Sequence, residues 1–108
     1  MKFLLDTDIC SAYLRDEPRV YQKCMQRAGQ LALLTVVVGE LLVTTKKTPR
    51  SAVFQAGLQD IIDGCHTLDY DIVCARRFGE VRGWLLDRSL PASSTDAMIA
   101  VTALIHVL

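Results

Sequence analysis

The sequence predicts an α/β fold with a mainly parallel sheet flanked by helices, and three observations support this prediction. Phe3–Leu5 and Leu31–Leu34 are short apolar segments of the kind that form buried parallel strands. Longer segments with apolar residues at helical spacing alternate with them. Asp6 follows the first segment directly, at the position where parallel sheets collect their ligands.

The first strand is expected to lead into two helices. Asp8 is a suitable N-cap for a helix over residues 9–15. Pro18 suits the first position of a second helix over residues 18–28, because proline is already fixed in a helical φ. Gly29 is expected to end that helix.

The second strand, Leu31–Leu34, is expected to be followed by a helix over residues 35–45 that is capped by Thr35. The β-branched residues 36–38 also permit a longer strand, so the start of this helix is open. A basic segment over residues 46–50 then separates it from a helix over Ser51–Gly64.

The last third is expected to hold a weak strand over residues 65–68 and a long helix that residues 69–71 open and that runs to about residue 88. A loop over residues 90–94 precedes a final helix over residues 96–105. Ser94 or Thr95 is the predicted cap, and the final helix is expected to be buried because it is apolar nearly all round. Trp84 and Phe78 are expected to lie in the core rather than to serve as platforms on which bases stack.

Length, charge and cysteine usage restrict the class of protein. With 108 residues and 12.0 kDa, the chain is expected to form a single domain over residues 1–108. Its net charge is zero, so binding of nucleic acid would need a local basic patch. The four cysteines form no C-x-x-C pair, and we find neither a secretory signal nor a span long enough for a membrane. A cytoplasmic protein with reduced cysteines is therefore expected.

Three acidic residues in apolar surroundings are the candidate site. Asp6 follows the first strand, Glu40 lies in a strongly apolar segment, and Asp96 precedes the final apolar helix. Carboxylates in such surroundings are costly unless their charge is compensated, and three together repel one another. A cluster of oxygen ligands suits Mg²⁺ or Mn²⁺, so the residues predict a metal-dependent hydrolase.

These motifs resemble those of the PIN-domain family, most closely its VapC-like toxin ribonucleases. The resemblance rests on residues 1–9 around Leu5-Asp6-Thr7-Asp8, on residues 35–41 around Gly39-Glu40-Leu41, and on Asp96-Ala97-Met98-Ile99-Ala100. Each motif alone is common, but their order and spacing match along the whole chain. The resemblance implies a three-layer PIN-like fold.

The resemblance also implies a function and a set of site residues. It implies an endoribonuclease of a toxin–antitoxin system, in which Asp6, Glu40 and Asp96 hold Mg²⁺ or Mn²⁺ and a metal-activated water attacks the phosphodiester. Thr7 and Asp8 would support Asp6 through a hydroxyl or a backbone amide, and Thr95 would support Asp96 in the same way. The implied partners are RNA, a small cognate antitoxin and a second copy in a homodimer.

Other interpretations stay open. Asp6, Asp8 and Asp96 are also ordinary residues for helix starts, and Asp8 is better explained as a cap than as a ligand. The basic cluster of Lys46, Lys47 and Arg50 is either a solvated surface or a rim that contacts RNA phosphates. The chain is alternatively an inactive PIN-like module that binds an antitoxin or a sister subunit, or a phosphatase or nuclease of another acidic α/β family.

The C-terminal region departs from the family pattern. Family members continue with a strand beside the first strand and with a fourth acidic residue, whereas this sequence stops at Leu108. We therefore expect a fold that lacks the last strands, with one edge of Phe3–Leu5 unpaired, and a natural chain that is longer than this one.

Overall fold

The computed structural model describes residues 2–90 and 93–108, and it confirms the predicted α/β class. Three strands, β1 (Phe3–Leu5), β2 (Leu31–Leu34) and β3 (His66–Leu68), form one parallel sheet in the order β1-β2-β3. β2 is thus the central strand of this sheet. Within the described ranges β1 pairs only with β2, as expected from the sequence.

Six helices occupy the described ranges, and most of their bounds lie within two residues of the prediction. They are α1 (Thr7–Leu14), α2 (Pro18–Gln26), α3 (Thr35–Lys46), α4 (Ser51–Gly64), α5 (Ile72–Asp87) and α6 (Ser94–His106). None of them has the length and apolar character that crossing a bilayer requires. The loop predicted over residues 90–94 lies partly outside the described residues.

The core is centred on β2, whose four side chains are all buried. Because successive side chains of a strand point to opposite faces, both faces of the sheet are covered at this strand. Leu33 and Leu34 pack with Val37 and Leu41 of α3 and with Leu58 of α4. These contacts fix the start of α3, and with it the position of Glu40, against the carboxyl end of the sheet.

Three predicted helix caps are wrong. The N-cap of α1 is Asp6 and not Asp8, and the N-cap of α6 is Ser93 and not Ser94 or Thr95. Thr35 is the first residue of α3 and not its cap. In the first two cases an earlier oxygen-bearing side chain accepts a bond from the backbone amide three residues later, and the helix therefore starts sooner.

Two predictions about burial are also wrong. α6 is not buried all round, because Leu104 is 64% exposed while Val101 and Thr102 on another face are buried. α6 packs mainly against α5, so the two helices form a hairpin that covers only one face of each. Trp84 of α5 is 51% exposed and does not lie in the core.

Candidate active site

Asp6 combines a structural role with a position at the end of a strand. Its Oδ1 accepts a hydrogen bond of 2.8 Å from the backbone N–H of Ile9, so it caps α1. The side chain is half-buried at the carboxyl end of β1. The bond engages one carboxylate oxygen, which leaves the other available to a ligand.

Glu40 is the residue at which the three acidic motifs meet. The hydroxyl of Thr7 donates to Glu40 Oε2 at 3.0 Å, and the hydroxyl of Thr95 donates to Glu40 Oε1 at 2.7 Å. The two threonines are next in sequence to Asp6 and Asp96, and they belong to helices at opposite ends of the chain. Two bonds, one on each oxygen, fix the orientation of this half-buried carboxylate.

The predicted supporting residues therefore act on a different carboxylate from the one expected. The hydroxyls of Thr7 and Thr95 contact Glu40, whereas the sequence suggested that each would support its own neighbour. Asp8 lies exposed in the first turn of α1. Asp96 is exposed in the first turn of α6, and its backbone N–H donates to the Ser93 hydroxyl at 3.0 Å.

The charge of Glu40 is not neutralised by a basic side chain in the described part of the chain. The ion pairs found there join Arg15 to Glu17 and Arg77 to Glu80, and both are exposed. Two neutral hydroxyls therefore hold a half-buried carboxylate that has no counter-charge there, and a cation would stabilise this arrangement.

The oxygen donors at this place fit a hard divalent cation better than a soft one. Among the residues described, however, no three His, Cys, Asp or Glu side chains lie close enough together to form a metal-binding group. The structure brings Thr7, Glu40 and Thr95 into contact but not the three carboxylates themselves. The metal site thus stays a prediction.

The predicted basic rim, Lys46, Lys47 and Arg50, lies at and after the C-terminal end of α3, whereas Glu40 lies near the middle of this helix. Lys46 is the last residue of this helix, about 9 Å along its axis from Glu40 at 1.5 Å per residue. Lys47 and Arg50 follow in the turn before α4, and all three side chains are exposed. Their placement is compatible with phosphate contacts and equally with an ordinary solvated surface.

Sequence reasoning missed Ser93, which fixes the start of α6 and thereby the place of Thr95 and Asp96. The signal was present as Ser93-Ser94-Thr95-Asp96, since a serine three residues before an acidic residue is a helix-start pattern. The sequence predicts Thr35 as the N-cap of α3, but its hydroxyl instead accepts a 3.4 Å hydrogen bond from the backbone N–H of Tyr70. That bond joins the start of α3 to the segment after β3.

The cysteines lie outside this site. Cys10, Cys24 and Cys74 are buried and Cys65 is half-buried, and all four are free thiols, as predicted. Burial raises the pKa of the Cys10 thiol to about 12, with smaller contributions from Cys65, Asp6 and Cys24. Because a protonated thiol is a poor nucleophile, Cys10 is a core residue and not a catalytic one.

Comparisons with known proteins agree with the fold. The tRNA(fMet)-specific endonuclease VapC of Shigella flexneri is 28% identical over 101 residues, which are 93% of this chain and 76% of that protein. The chain in a DNA-bound VapBC structure from Salmonella typhimurium is 25% identical, with a TM-score of 0.87 over 95% of this chain and 79% of that one.

A third relative gives a similar structural match at lower identity. A chain in the structure of VapBC2 from Rickettsia felis, bound to a DNA fragment from its promoter, has a TM-score of 0.89 at 24% identity. The match covers 99% of this chain and 83% of that one. No family model matches the sequence. Sequence and fold together confirm the resemblance that the acidic motifs predict: the chain is similar to VapC proteins in sequence and has the fold of the VapC-like chains in these structures.

Proposed function

We propose that this chain is a metal-dependent endoribonuclease of the toxin–antitoxin type. The observation that carries the proposal is the pair of hydrogen bonds from Thr7 and Thr95 to the Glu40 carboxylate. Through them the segments that carry Asp6 and Asp96 meet at one half-buried anion. The likeness to endonucleases and ribonucleases named VapC supports the same chemistry.

Each residue has a separate task in this proposal. Glu40, held in a fixed orientation, and the carboxylates of Asp6 and Asp96 are the ligands of Mg²⁺ or Mn²⁺. The bound ion supplies an activated water and offsets negative charge on the phosphate oxygens. Thr7 and Thr95 keep Glu40 from turning away, and Asp6 also holds the start of α1. Lys46, Lys47 and Arg50 bind RNA phosphates beside the site.

Electrostatics make the cation necessary as well as useful. The proposed ligands are carboxylates from three segments, and no basic side chain among the described residues pairs with Glu40. RNA carries a negative charge on every phosphate, so this surface repels it until a cation is bound. Chelation of divalent ions is therefore expected to weaken RNA binding as well as cleavage.

The proposed partner is an antitoxin protein. Its support is that the solved relatives are VapBC assemblies, in which a VapC-like chain is bound to its antitoxin. We also propose that the chain forms a homodimer and works in the cytoplasm. Sedimentation of the purified chain, alone and with the product of an adjacent gene, measures both associations.

A cleavage assay tests the enzymatic proposal. We expect the wild-type chain to cleave RNA with Mg²⁺ or Mn²⁺ and to stop when EDTA is added. Asp6→Asn is expected to abolish cleavage and to keep the fold, because asparagine caps helices as well as aspartate does. Thr44→Val, on α3 but with a hydroxyl that bonds only to a backbone carbonyl, is the control that should keep activity.

The alternative is a binding module without catalysis. The absence of a three-carboxylate group among the described residues favours this alternative. Tight binding of an antitoxin, with neither Mn²⁺ binding nor RNA cleavage, would support the module and remove the proposed enzyme. Cleavage that survives in Asp6→Asn would instead remove Asp6 from the site.

A further inference from the structure

Trp84, the single tryptophan of the chain, lies half exposed on α5. Single exposed hydrophobic side chains are ordinary on a protein surface, so exposure alone does not mark a site. The sequence predicts a core position, which the structure excludes. What distinguishes Trp84 is its place between a cation and an open depression.

An arginine holds the indole ring from the C-terminal side. The guanidinium carbon of Arg88 lies 3.9 Å from the ring centroid, and Arg88 Nη1 donates to the Trp84 carbonyl at 3.3 Å. These contacts restrict the rotation of the side chain and bring a positive charge next to it. Within residues 2–90 and 93–108, no carboxylate forms an ion pair with Arg88.

The preceding turns of α5 leave an open depression beside the ring. It is lined by Arg77, Glu80, Val81 and Trp84, and its volume is about 350 Å³. Arg88 is on the other side of Trp84 along the helix. One part of the ring is thus covered by a cation, and another faces a space that is large enough for a flat ring.

The charges of α5 select the kind of occupant. Arg77 and Glu80 pair with each other at 2.6 Å, so they leave the depression without net charge, whereas Arg88 forms no ion pair among the described residues. This cation against the indole ring favours a ligand that is aromatic and anionic. Single-stranded nucleic acid has both properties, since bases stack on aromatic rings while phosphates meet arginine.

Trp84, at the C-terminal edge of the depression, and Thr95 of the candidate active site lie towards the same end of the α5–α6 hairpin. A connection of six residues joins Asp87 to Ser94, so the two packed helices run antiparallel. Trp84 lies within about one helical turn of the end of α5, and Thr95 within one turn of the start of α6. Thr95 in turn bonds to Glu40.

We propose that Trp84 and Arg88 form a stacking site for a base of single-stranded RNA, on the hairpin whose other helix carries Thr95. This inference rests on the proposed function and extends it to how the substrate is held. A base stacks on the indole in the depression, and Arg88 meets the neighbouring phosphate. The site is expected to bind RNA of different sequences with similar affinity, because every base has a face that can stack on the indole ring.

The single tryptophan makes the test direct. Titration of the wild-type chain with a ten-nucleotide adenylate RNA in EDTA is expected to quench tryptophan fluorescence. EDTA stops cleavage and weakens RNA binding at the carboxylates, but it does not remove the stacking site, so the remaining affinity reports on Trp84. Trp84→Leu is expected to weaken binding of the labelled RNA by about 5- to 150-fold, the range for loss of one base–aromatic stack. Trp84→Phe should retain most of the affinity.

A matched control comes from another exposed aromatic residue. Tyr21 of α2 is 46% exposed and stacks on Tyr13 at 5.6 Å, away from the hairpin. Tyr21→Leu should leave the RNA affinity unchanged. Equal loss in Trp84→Leu and Tyr21→Leu would overturn the proposal, because the effect would then be one of general hydrophobicity.

Other results contradict the proposal in distinguishable ways. Unchanged RNA affinity in Trp84→Leu, with wild-type cleavage intact, removes the stacking site and keeps the proposed function. Wild-type protein that neither binds nor cleaves RNA removes both. If Trp84→Leu instead abolishes self-association in sedimentation without changing RNA affinity, a second copy of the chain covers the ring and the proposal is wrong.

Discussion

Substitution of Thr95 by valine tests whether the acidic motifs are joined through Glu40. Valine has nearly the shape of threonine and a similar helix propensity, so the change removes mainly the hydroxyl. The lost bond is 2.7 Å long, is partly buried and ends on a carboxylate. Hydrogen bonds to charged groups contribute about 1.5–3 kcal/mol.

Partial exposure sets the expected cost at the lower end of this range. Because water can reach part of the Glu40 carboxylate, we expect the free energy of unfolding to fall by about 1.5 kcal/mol. In a chain of this length that corresponds to a decrease in Tm of about 6 °C. Thermal unfolding in EDTA followed by circular dichroism measures the effect without any metal contribution.

Two further threonine substitutions serve as controls. Thr102 is fully buried and donates to the Met98 carbonyl at 2.8 Å, and Thr44 is exposed and donates to the Glu40 carbonyl at 3.1 Å. Both acceptors are backbone oxygens within a helix, so they keep their helical partners when the hydroxyl is lost. We expect each valine variant to change stability by less than about 0.5 kcal/mol.

The double variant Thr7→Val/Thr95→Val measures the coupling between the two hydrogen bonds that end on the Glu40 carboxylate. Since both hydroxyls bind Glu40, the two changes are expected to be non-additive by about 0.5 kcal/mol or more. Thr95→Ser should restore most of the stability, because serine keeps the hydroxyl. If Thr95→Val has wild-type stability, or if Thr95→Ser is as unstable as Thr95→Val, the Thr95 hydroxyl does not stabilise the fold through its bond to Glu40.

Three further predictions concern the helix starts and the core. Asp6→Ala is expected to lower the free energy of unfolding by about 1 kcal/mol and Asp6→Asn by much less, because only alanine removes the cap of α1. Equal losses of the two variants in urea unfolding would contradict the capping role. Ser93→Ala should likewise lower the free energy of unfolding by about 1 kcal/mol, whereas Ser94→Ala should leave it nearly unchanged. If thermal unfolding gives the reverse order of stability, the cap of α6 is Ser94. Burial raises the pKa of Cys10 from 9.0 to about 12, so the unfolded chain loses this thiol proton at a lower pH than the folded chain does. The free energy of unfolding is therefore independent of this group below pH 9 and decreases between pH 9 and 12. Urea unfolding between pH 8 and 10.5 should therefore show a shallower fall in Cys10→Ala than in wild type, and identical slopes would contradict a buried neutral thiol.

The strands and the acidic motifs follow from the sequence because they are local. Leu31–Leu34 is a continuous apolar segment and forms the buried central strand, as predicted. Glu40 lies in an apolar segment and indeed proves half-buried and hydrogen-bonded. A carboxylate that interrupts an apolar pattern is informative because its burial requires compensation.

The features that the sequence did not predict depend on contacts between distant segments. Whether Thr95 supports Asp96 or Glu40 is decided by the packing of α6 relative to α3, and no local pattern contains that information. The exposure of Trp84 and Leu104 depends in the same way on how much of the α5–α6 hairpin other elements cover. Hydrophobicity alone predicts burial, but it does not tell which face finds a partner.

Anomalous diffraction from crystals soaked in Mn²⁺ would show directly whether Glu40 binds a divalent ion. We expect one Mn²⁺ peak within ligand distance of Glu40 Oε1 or Oε2 and of a carboxylate oxygen from Asp6 or Asp96, and no such peak in crystals of Glu40→Gln. A Mn²⁺ ion bound elsewhere with none beside Glu40, or an unchanged peak in Glu40→Gln, would contradict this prediction.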